Sequence, residues 1–457
     1  MGITMEDILH AYEQKTPKSK ALHEKAVNII PGGITANVKY FEPYPISMEK
    51  GEGAWLYDVD GNKYVDYLLS YGPLILGHGH PVVKNAIMEQ LQENQAILYG
   101  TPHELEVKFA KKIQELYPSI EMLRYTNSGT EATLFALRLA YAYTKKYKIG
   151  KFEGHYHGGY NQVLVSVNPP LEEAGDVKSP NSVPESLGLE PYQLENTIVL
   201  PFNDLEACIE ILKEHKDEMA AVIMEPILAG YIPAAKEFMQ GLRKATEELG
   251  ILLIFDEVKT GFRCGLTGAQ GYYGIKPDIT AMGKVIGAGF PMGVVGGKRD
   301  ILMQAAPLSN SDVFDISSSK RSKAKDVLFH SGTYNGHPLI LKAGLATIEL
   351  LEKKMDLILE RTNQLRKGLE QCFADKGIQM QTVGLGTVFN ILLTDHKIEK
   401  YRDIQTADLE LRKKIDYALL SEGIYNKPTN RYSMSIAHDE QVIDYTLNAY
   451  QKVLNKI

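Results

Sequence analysis

Between about residues 100 and 300 the chain alternates short, wholly apolar runs with helical patterns. Thr197–Leu200, Ala220–Met224 and Ile251–Phe255 read as strands, and 237–249 reads as a helix between the last two. Apolar runs without polar alternation suit strands covered on both faces. Helices between them predict a largely parallel sheet with helices on either side. Upstream, residues 1 to about 30 form short polar helical patterns that stop at Pro31-Gly32-Gly33. Ala54–Tyr57 reads as a strand entering a tight turn over Asp58–Asn62, where Gly61 and Asn62 supply backbone freedom. After Pro338 a long helical pattern carries Leu341, Leu345 and Ile348 on one face. Strand-like stretches at 387–393 and 431–437 flank a helix over about 407–421, which predicts a smaller α+β domain at the C-terminus. Residues 168–196, rich in Pro, Gly, Glu and Ser, predict a long surface loop suited to a lid. The polar stretch 307–326 predicts a second, mobile segment.

At 457 residues the chain exceeds one core, so two or three domains are expected. The net charge of −7 leaves no basic stripe to meet a phosphate backbone, which argues against a nucleic-acid partner. No run of eighteen apolar residues occurs, so no membrane span is predicted. Cys208, Cys264 and Cys372 are far apart and build neither a disulfide framework nor a zinc motif. The N-terminus, MGITMEDILHAYEQKTPKSK, lacks the apolar core of a signal peptide, and a cytoplasmic location is expected.

Four local patterns carry candidate chemistry. Asp256 follows the apolar run Ile251–Phe255, at the strand edge where ligands sit in α/β sheets. An acid there serves equally well as a cap for the next turn. Lys284 lies in the glycine-rich stretch Ala281–Gly293, and desolvation makes such an amine nucleophilic toward carbonyls. The other reading is a solvated lysine at a strand end. A nucleotide loop does not fit, because Asp278 and Val285 stand where a P-loop needs Gly and Ser or Thr. Met292 likewise breaks a dinucleotide fingerprint. Ser128, Gly129 and Thr130 open a helical pattern, with Ser128 and Glu131 at capping-box spacing. This is a helix cap or a phosphate cradle. Tyr156, set among glycines in GHYHGG, offers a ring-stacking platform. The HxH spacings at His78/His80 and His155/His157 lack a supporting cysteine or carboxylate cluster, so no metal is expected. Taken together, a phosphate cradle, an aromatic stack, an acid for a pyridine nitrogen and a lysine for an aldehyde are what pyridoxal phosphate needs.

The stretches YDVDGNKYVDY, LGHGHP, NSGTEAT, KFEGHYHG, FDEVKTGFR, YYGIKPDITAMGKVIGAGFPMGVVGGKRD and SGTYNGHP resemble the class III aminotransferases in order. The resemblance runs from about Pro31 to Tyr450 and is greatest to the family's glutamate-1-semialdehyde aminomutase branch. It implies an α/β, fold-type I pyridoxal-phosphate-dependent transferase. A large domain over 61–330 would hold a mostly parallel seven-stranded sheet. A smaller α+β domain would combine the N-terminal segment 1–60 with 331–457. By the same resemblance Lys284 bonds the cofactor aldehyde and Asp256 faces the pyridine nitrogen. Ser128, Gly129 and Thr130 hold the phosphate, and Tyr156 and Val258 flank the ring. His157 and Glu225 belong to the same site. Thr333 reaches the phosphate of a neighbouring subunit, which implies a homodimer with shared active sites.

Three positions depart from the aminomutase motifs. Lys39 replaces an Arg, Tyr71 replaces a Trp, and Arg431 lies in a shortened segment where the aminomutases carry a Glu. These three are the expected substrate-binding residues, with Arg431 as a carboxylate anchor. The expected activity is transfer of an amino group between an α-, β- or ω-amino acid and a keto or aldehyde acceptor. Intramolecular transfer of the aminomutase kind, or racemisation, is the alternative.

Overall fold

The computed structural model describes residues 2–307 and 327–457. The polar stretch expected to be mobile at 307–326 lies, apart from Pro307, outside the described residues. The chain divides into two units, Asn85–Glu352 with Glu399–Arg402, and Met1–Lys84 with Lys353–Ile398 and Asp403–Ile457.

The larger unit is built on seven strands: β1 (Met122–Thr126), β2 (Lys148–Phe152), β3 (Thr197–Leu200), β4 (Met219–Met224), β5 (Leu252–Asp256), β6 (Ile279–Gly283) and β7 (Gly293–Gly297). Their spatial order is β1-β7-β6-β5-β4-β2-β3. All neighbours pair in parallel except β7, which is antiparallel to both β6 and β1. The mostly parallel seven-stranded sheet expected from the resemblance is therefore present. Every residue of β4, β6 and β7 is buried, as strands covered on both faces require. Helix α1 (Gly129–Thr144) lays Ala132, Ala136, Leu139 and Ala140 against the sheet, and small side chains let its backbone come close. Helix α2 (Lys236–Glu248) links β4 to β5, within a residue of the expected 237–249. The stretch 168–196 is irregular as far as a short helix, Pro191–Asn196. Arg402 pins it by donating to the carbonyls of Ala174 (3.0 Å) and Gly175 (2.8 Å), while Glu185 accepts from the amide of Asn168 (2.8 Å).

In the smaller unit, helices Met5–Lys15 and Pro17–Ala26 precede an antiparallel ladder of Met48–Glu52, Trp55–Asp58 and Lys63–Asp66. Ile424–Tyr425 adds to Lys63–Asp66 in parallel. A second sheet joins Gln381–Leu385, Val388–Leu392 and Tyr432–Ser433. The strand expected over 431–437 is only two residues long. After Ser433 the backbone pairs irregularly, Met434 with Thr387 and Ile436 with Ile75, and a turn over Ser435–His438 ends the strand.

The expected boundaries at residues 60 and 330 both lie further along the chain, at 84 and 352. A cut at 60 would split the hairpin of Trp55–Asp58 with Lys63–Asp66. The second boundary falls inside one continuous helix, α3 (Pro338–Ala374). Its first turns belong with the larger unit, where Gly344 packs on the Ile286 carbonyl and the Phe109 ring. No helix among the described residues is long and apolar enough to cross a membrane.

Candidate active site

Parallel strands deliver their carboxyl ends to one edge of a sheet. Here that edge receives Glu225 after β4, Asp256 at the end of β5 and Lys284 after β6. With Gly129, Tyr156 and Val258 they line a cavity of about 200 Å³, also walled by Thr130, His157 and Lys259. Residues expected from scattered motifs thus meet in one place.

Ser128 caps α1, its hydroxyl oxygen accepting from the Glu131 amide at 3.1 Å. The Glu131 carboxylate reaches back one residue beyond the usual box, accepting from the Asn127 amide. The first N–H groups of a helix have no intrahelical acceptor, so Gly129 and Thr130 offer donors at the positive end of α1. Close approach explains the glycine. A Cβ on Gly129 would sit 2.5 Å from Val258 Cγ1, and one on Gly293 of β7 would sit 2.3 Å from the Ser128 carbonyl.

Asp256 is buried with both oxygens engaged. Oδ2 accepts from His157 Nδ1 at 2.8 Å, and Oδ1 accepts from the Val258 amide at 3.0 Å. His157 is anchored in turn, its carbonyl accepting from the Thr133 hydroxyl. Its Nε2 is buried with no hydrogen-bond partner among the described residues. The acid-or-cap ambiguity resolves in both directions, since Asp256 caps its own turn and lines the cavity.

Glu225 accepts from the Tyr156 amide at 2.9 Å and forms an ion pair with Lys259 at 2.7 Å. Burial by itself would raise this carboxyl. Lys259, helped by His155 and His157, overcomes burial and holds it down at about 2. Lys259 also lies 5.6 Å from the centre of the Tyr156 ring. Lys259 was not singled out in the sequence. Its partner is 34 residues away, and no local pattern marks a lysine that folds against a distant acid.

Lys284 begins a short 3-10 turn with φ of 52°, a left-handed conformation unusual for a side chain of its size. A second lysine competes for the same chemistry. Lys151 on β2 is fully buried, and burial lowers its ammonium to about 7 despite Glu225, Glu185 and Glu153 nearby. Its ammonium, however, donates to the carbonyls of Val165 and Phe152, and it lines no part of the cavity. Of the two lysines, Lys284 lines the cavity.

The lining fits pyridoxal phosphate. Amides and hydroxyls at the start of α1 suit an anionic group, a cavity-facing carboxylate suits a ring nitrogen, and a lysine amine suits an aldehyde. Thr333 lies elsewhere, exposed in the turn before α3. Lys39 and Tyr71 line a different cavity, in the smaller unit. The charge of Arg431 bears on the Tyr71 phenol, so the three residues expected at the substrate are neighbours. No group of three or more His, Cys, Asp or Glu side chains among the described residues is placed to hold a metal ion.

Comparison with known proteins agrees with this geometry. Residues 36–453 match the family model described as aminotransferase class-III. The glutamate-1-semialdehyde 2,1-aminomutase of Ignicoccus hospitalis is 42% identical over 448 residues, covering 96% of this chain and 99% of the relative. That of Methanococcoides burtonii is 40% identical over 439 residues, covering 95% and 98%. Among solved structures, an omega-transaminase from Sphaerobacter thermophilus is 33% identical with a TM-score of 0.87, covering 96% of this chain and 97% of that one. On fold, site and relatives alike, the chain belongs to the class III aminotransferases, a family of pyridoxal-phosphate-dependent enzymes.

Proposed function

We propose that this chain moves an amino group between adjacent carbons of glutamate-1-semialdehyde, as a 2,1-aminomutase. The observation that carries this reading is identity of 40–42% to relatives so named, over essentially their whole length. The omega-transaminase structure, at 33%, is more distant.

The geometry supports the following residue roles. Ser128, with the amides of Gly129 and Thr130, holds the phosphate. Asp256, kept in register by His157 and the Val258 amide, keeps a proton on the ring nitrogen. Tyr156 and Val258 confine the ring, and the Glu225–Lys259 pair fixes the Tyr156 backbone. When bound, pyridoxal phosphate supplies an electron sink for the bonds at the amino-bearing carbon. Lys284 Nζ then takes a proton from one substrate carbon and returns it to the next. Two carbons must be served in one cycle, which suits a base on a short turn at the cavity wall.

A second reading, transamination between two molecules, is favoured by one observation. Lys39 and Tyr71 replace the Arg and Trp of the aminomutase motifs, so the substrate pocket differs. One experiment separates the two. The holoenzyme is given glutamate-1-semialdehyde with no second substrate, and 5-amino-4-oxopentanoate is measured. An aminomutase turns over repeatedly. A transaminase stops near one equivalent until a keto acid is added, and that outcome would replace the first reading with the second.

A further inference from the structure

The HxH spacing at residues 155 and 157 sets each histidine beside a different acid of the larger unit. His157 meets the Asp256 carboxylate. His155 meets Glu225 through the backbone, its Nδ1 accepting from the Glu225 amide at 3.0 Å. The Glu225 carboxylate in turn accepts from the Tyr156 amide at 2.9 Å. Two bonds therefore run in opposite directions between the segment after β2 and the residue after β4. Together they form a clasp.

Both sides need such a clasp. Met224 is the last residue of β4 that pairs with β5, so the Glu225 amide lies beyond the ladder. Glu225 is buried, and a buried N–H without an acceptor is costly. Residues 155–157 hang between Gly154 and Gly158, whose φ of 83° and 121° leave the segment to be fixed by its side-chain bonds. The clasp also demands a charge state. A backbone N–H only donates, so His155 Nδ1 must present a lone pair, which a protonated imidazole lacks there. The surroundings keep the ring neutral. It is fully buried, with the Phe202 and Phe152 rings at centroid distances of 4.8 Å and 5.3 Å. Burial pushes its pKa well below the ordinary value. Glu225 opposes that shift, and His157, Lys151 and Lys259 reinforce it.

We propose that His155 is a positioning residue for the cofactor: as a neutral acceptor it fixes the Glu225 backbone, and through the Glu225 carboxylate it sets the place of Tyr156 and Lys259 in the cavity wall. His155 is not among the residues that line the cavity, so it acts through Glu225 and not by contact. The carboxylate it steadies bonds the Tyr156 amide and pairs with Lys259 at 2.7 Å, so one backbone bond governs both an aromatic ring and a charge. The proposal rests on pyridoxal phosphate as the cofactor of the family. It concerns no substrate and stands apart from the aminomutase reading.

Cofactor binding supplies the test, with no turnover involved. The holoenzyme is dialysed against graded pyridoxal phosphate, and Kd is read from visible absorbance. Visible circular dichroism of the loaded protein reports how asymmetrically the ring is held. His155→Phe suits the aromatic pocket but offers no acceptor. Its Kd should rise about 10-fold, within the cost of a buried donor left unpaired, and its dichroic signal should weaken. His155→Asn places an amide oxygen near the Nδ1 position and should bind nearly as wild type does. His155→Gln sets that oxygen one bond further out and should behave like the phenylalanine variant, which keeps the test decisive if that variant does not fold. A merely structural role would lower the melting temperature at saturating cofactor yet leave Kd and dichroism unchanged, and that result would overturn the proposal. An asparagine variant as impaired as the glutamine variant would overturn it too. A double-mutant cycle with Lys259→Met checks the route. The two effects on Kd should sum to less than their total, because both act through the Glu225 carboxylate, and full additivity would remove Glu225 as the link.

Discussion

The backbone of Lys284 carries as much information as its amine. Its φ of 52° belongs to the left-handed region, where any residue with a Cβ is strained by about 1 kcal/mol or more. The strain comes from the Cβ, so Lys284→Ala keeps it and Lys284→Gly relieves it. Both variants should lose turnover and the visible absorbance of the bound cofactor while remaining folded. In urea, Lys284→Gly should be about 1 kcal/mol more stable than Lys284→Ala, the reverse of the usual penalty for glycine. A variant that keeps normal turnover would remove Lys284 from its role. A glycine variant less stable than the alanine variant would show that the strain is absent. The same residue-by-residue reading separates Lys284 from Lys151. Burial lowers the Lys151 ammonium to about 7, yet it spends its protons on backbone carbonyls.

At the scale of elements, the ends of neighbouring strands bring ionisable groups together, and their coupling sets a pH dependence. Glu225 follows β4 and meets Lys259 from the turn after β5. Its carboxyl is held at about 2 in the folded chain, against an ordinary value of 4.5. Between those values the unfolded chain binds a proton that the folded chain refuses. The pair's stabilisation is therefore full above pH 4.5 and is lost as pH falls toward about 2. Glu225→Gln should be less stable near pH 6 by roughly 3 kcal/mol, because Lys259 loses its partner in a largely buried place. Its stability should also fall less steeply than wild type between pH 5 and 3, a window that follows from the linkage just given. Urea midpoints at several pH values test both, and parallel acid limbs for the two proteins would sink the assignment. Helix α1 makes a related point. Its cap at Ser128 and its closely packed glycine at 129 serve folding, and the proposed phosphate role uses the same turn, so neither use can be read without the other.

At the scale of the whole molecule, Thr333 lies exposed and outside the cavity that its motif suggested. We propose that it completes the site of a second copy in a homodimer. Mixed dimers decide the matter. A Lys284→Ala subunit paired with a Thr333→Ala subunit should retain about half of wild-type turnover, because one site keeps its own Lys284 and the partner's Thr333. If Thr333 served its own subunit, every site in the mixed dimer would carry a defect. Turnover would then not exceed half that of the Thr333→Ala homodimer. A monomer in solution with full cofactor occupancy would end the proposal altogether.

The sequence by itself determined much of the large sheet, since short apolar runs such as Thr197–Leu200 and Ala220–Met224, separated by helical patterns, suit strands covered on both faces, and they form strands within a residue of those bounds. It also pointed to Asp256, Lys284 and the Ser128–Thr130 turn, which the structure brings to one edge of that sheet, because each lies in a contiguous motif at a strand end or helix start. Local pattern ran out where the chain pairs at long range. The 431–437 stretch looks like a strand, yet only Tyr432–Ser433 pairs with Val388–Phe389. Domain boundaries shifted because a hairpin cannot be divided between two cores and because α3 is continuous through the second boundary. Lys259 was hidden for the same reason, since it finds its acid 34 residues away. A charge has no periodicity to betray its partner. Only the tertiary structure decides which buried charge is neutralised by a neighbour and which stands open to a ligand, because the energy of a charge is set by what surrounds it in space.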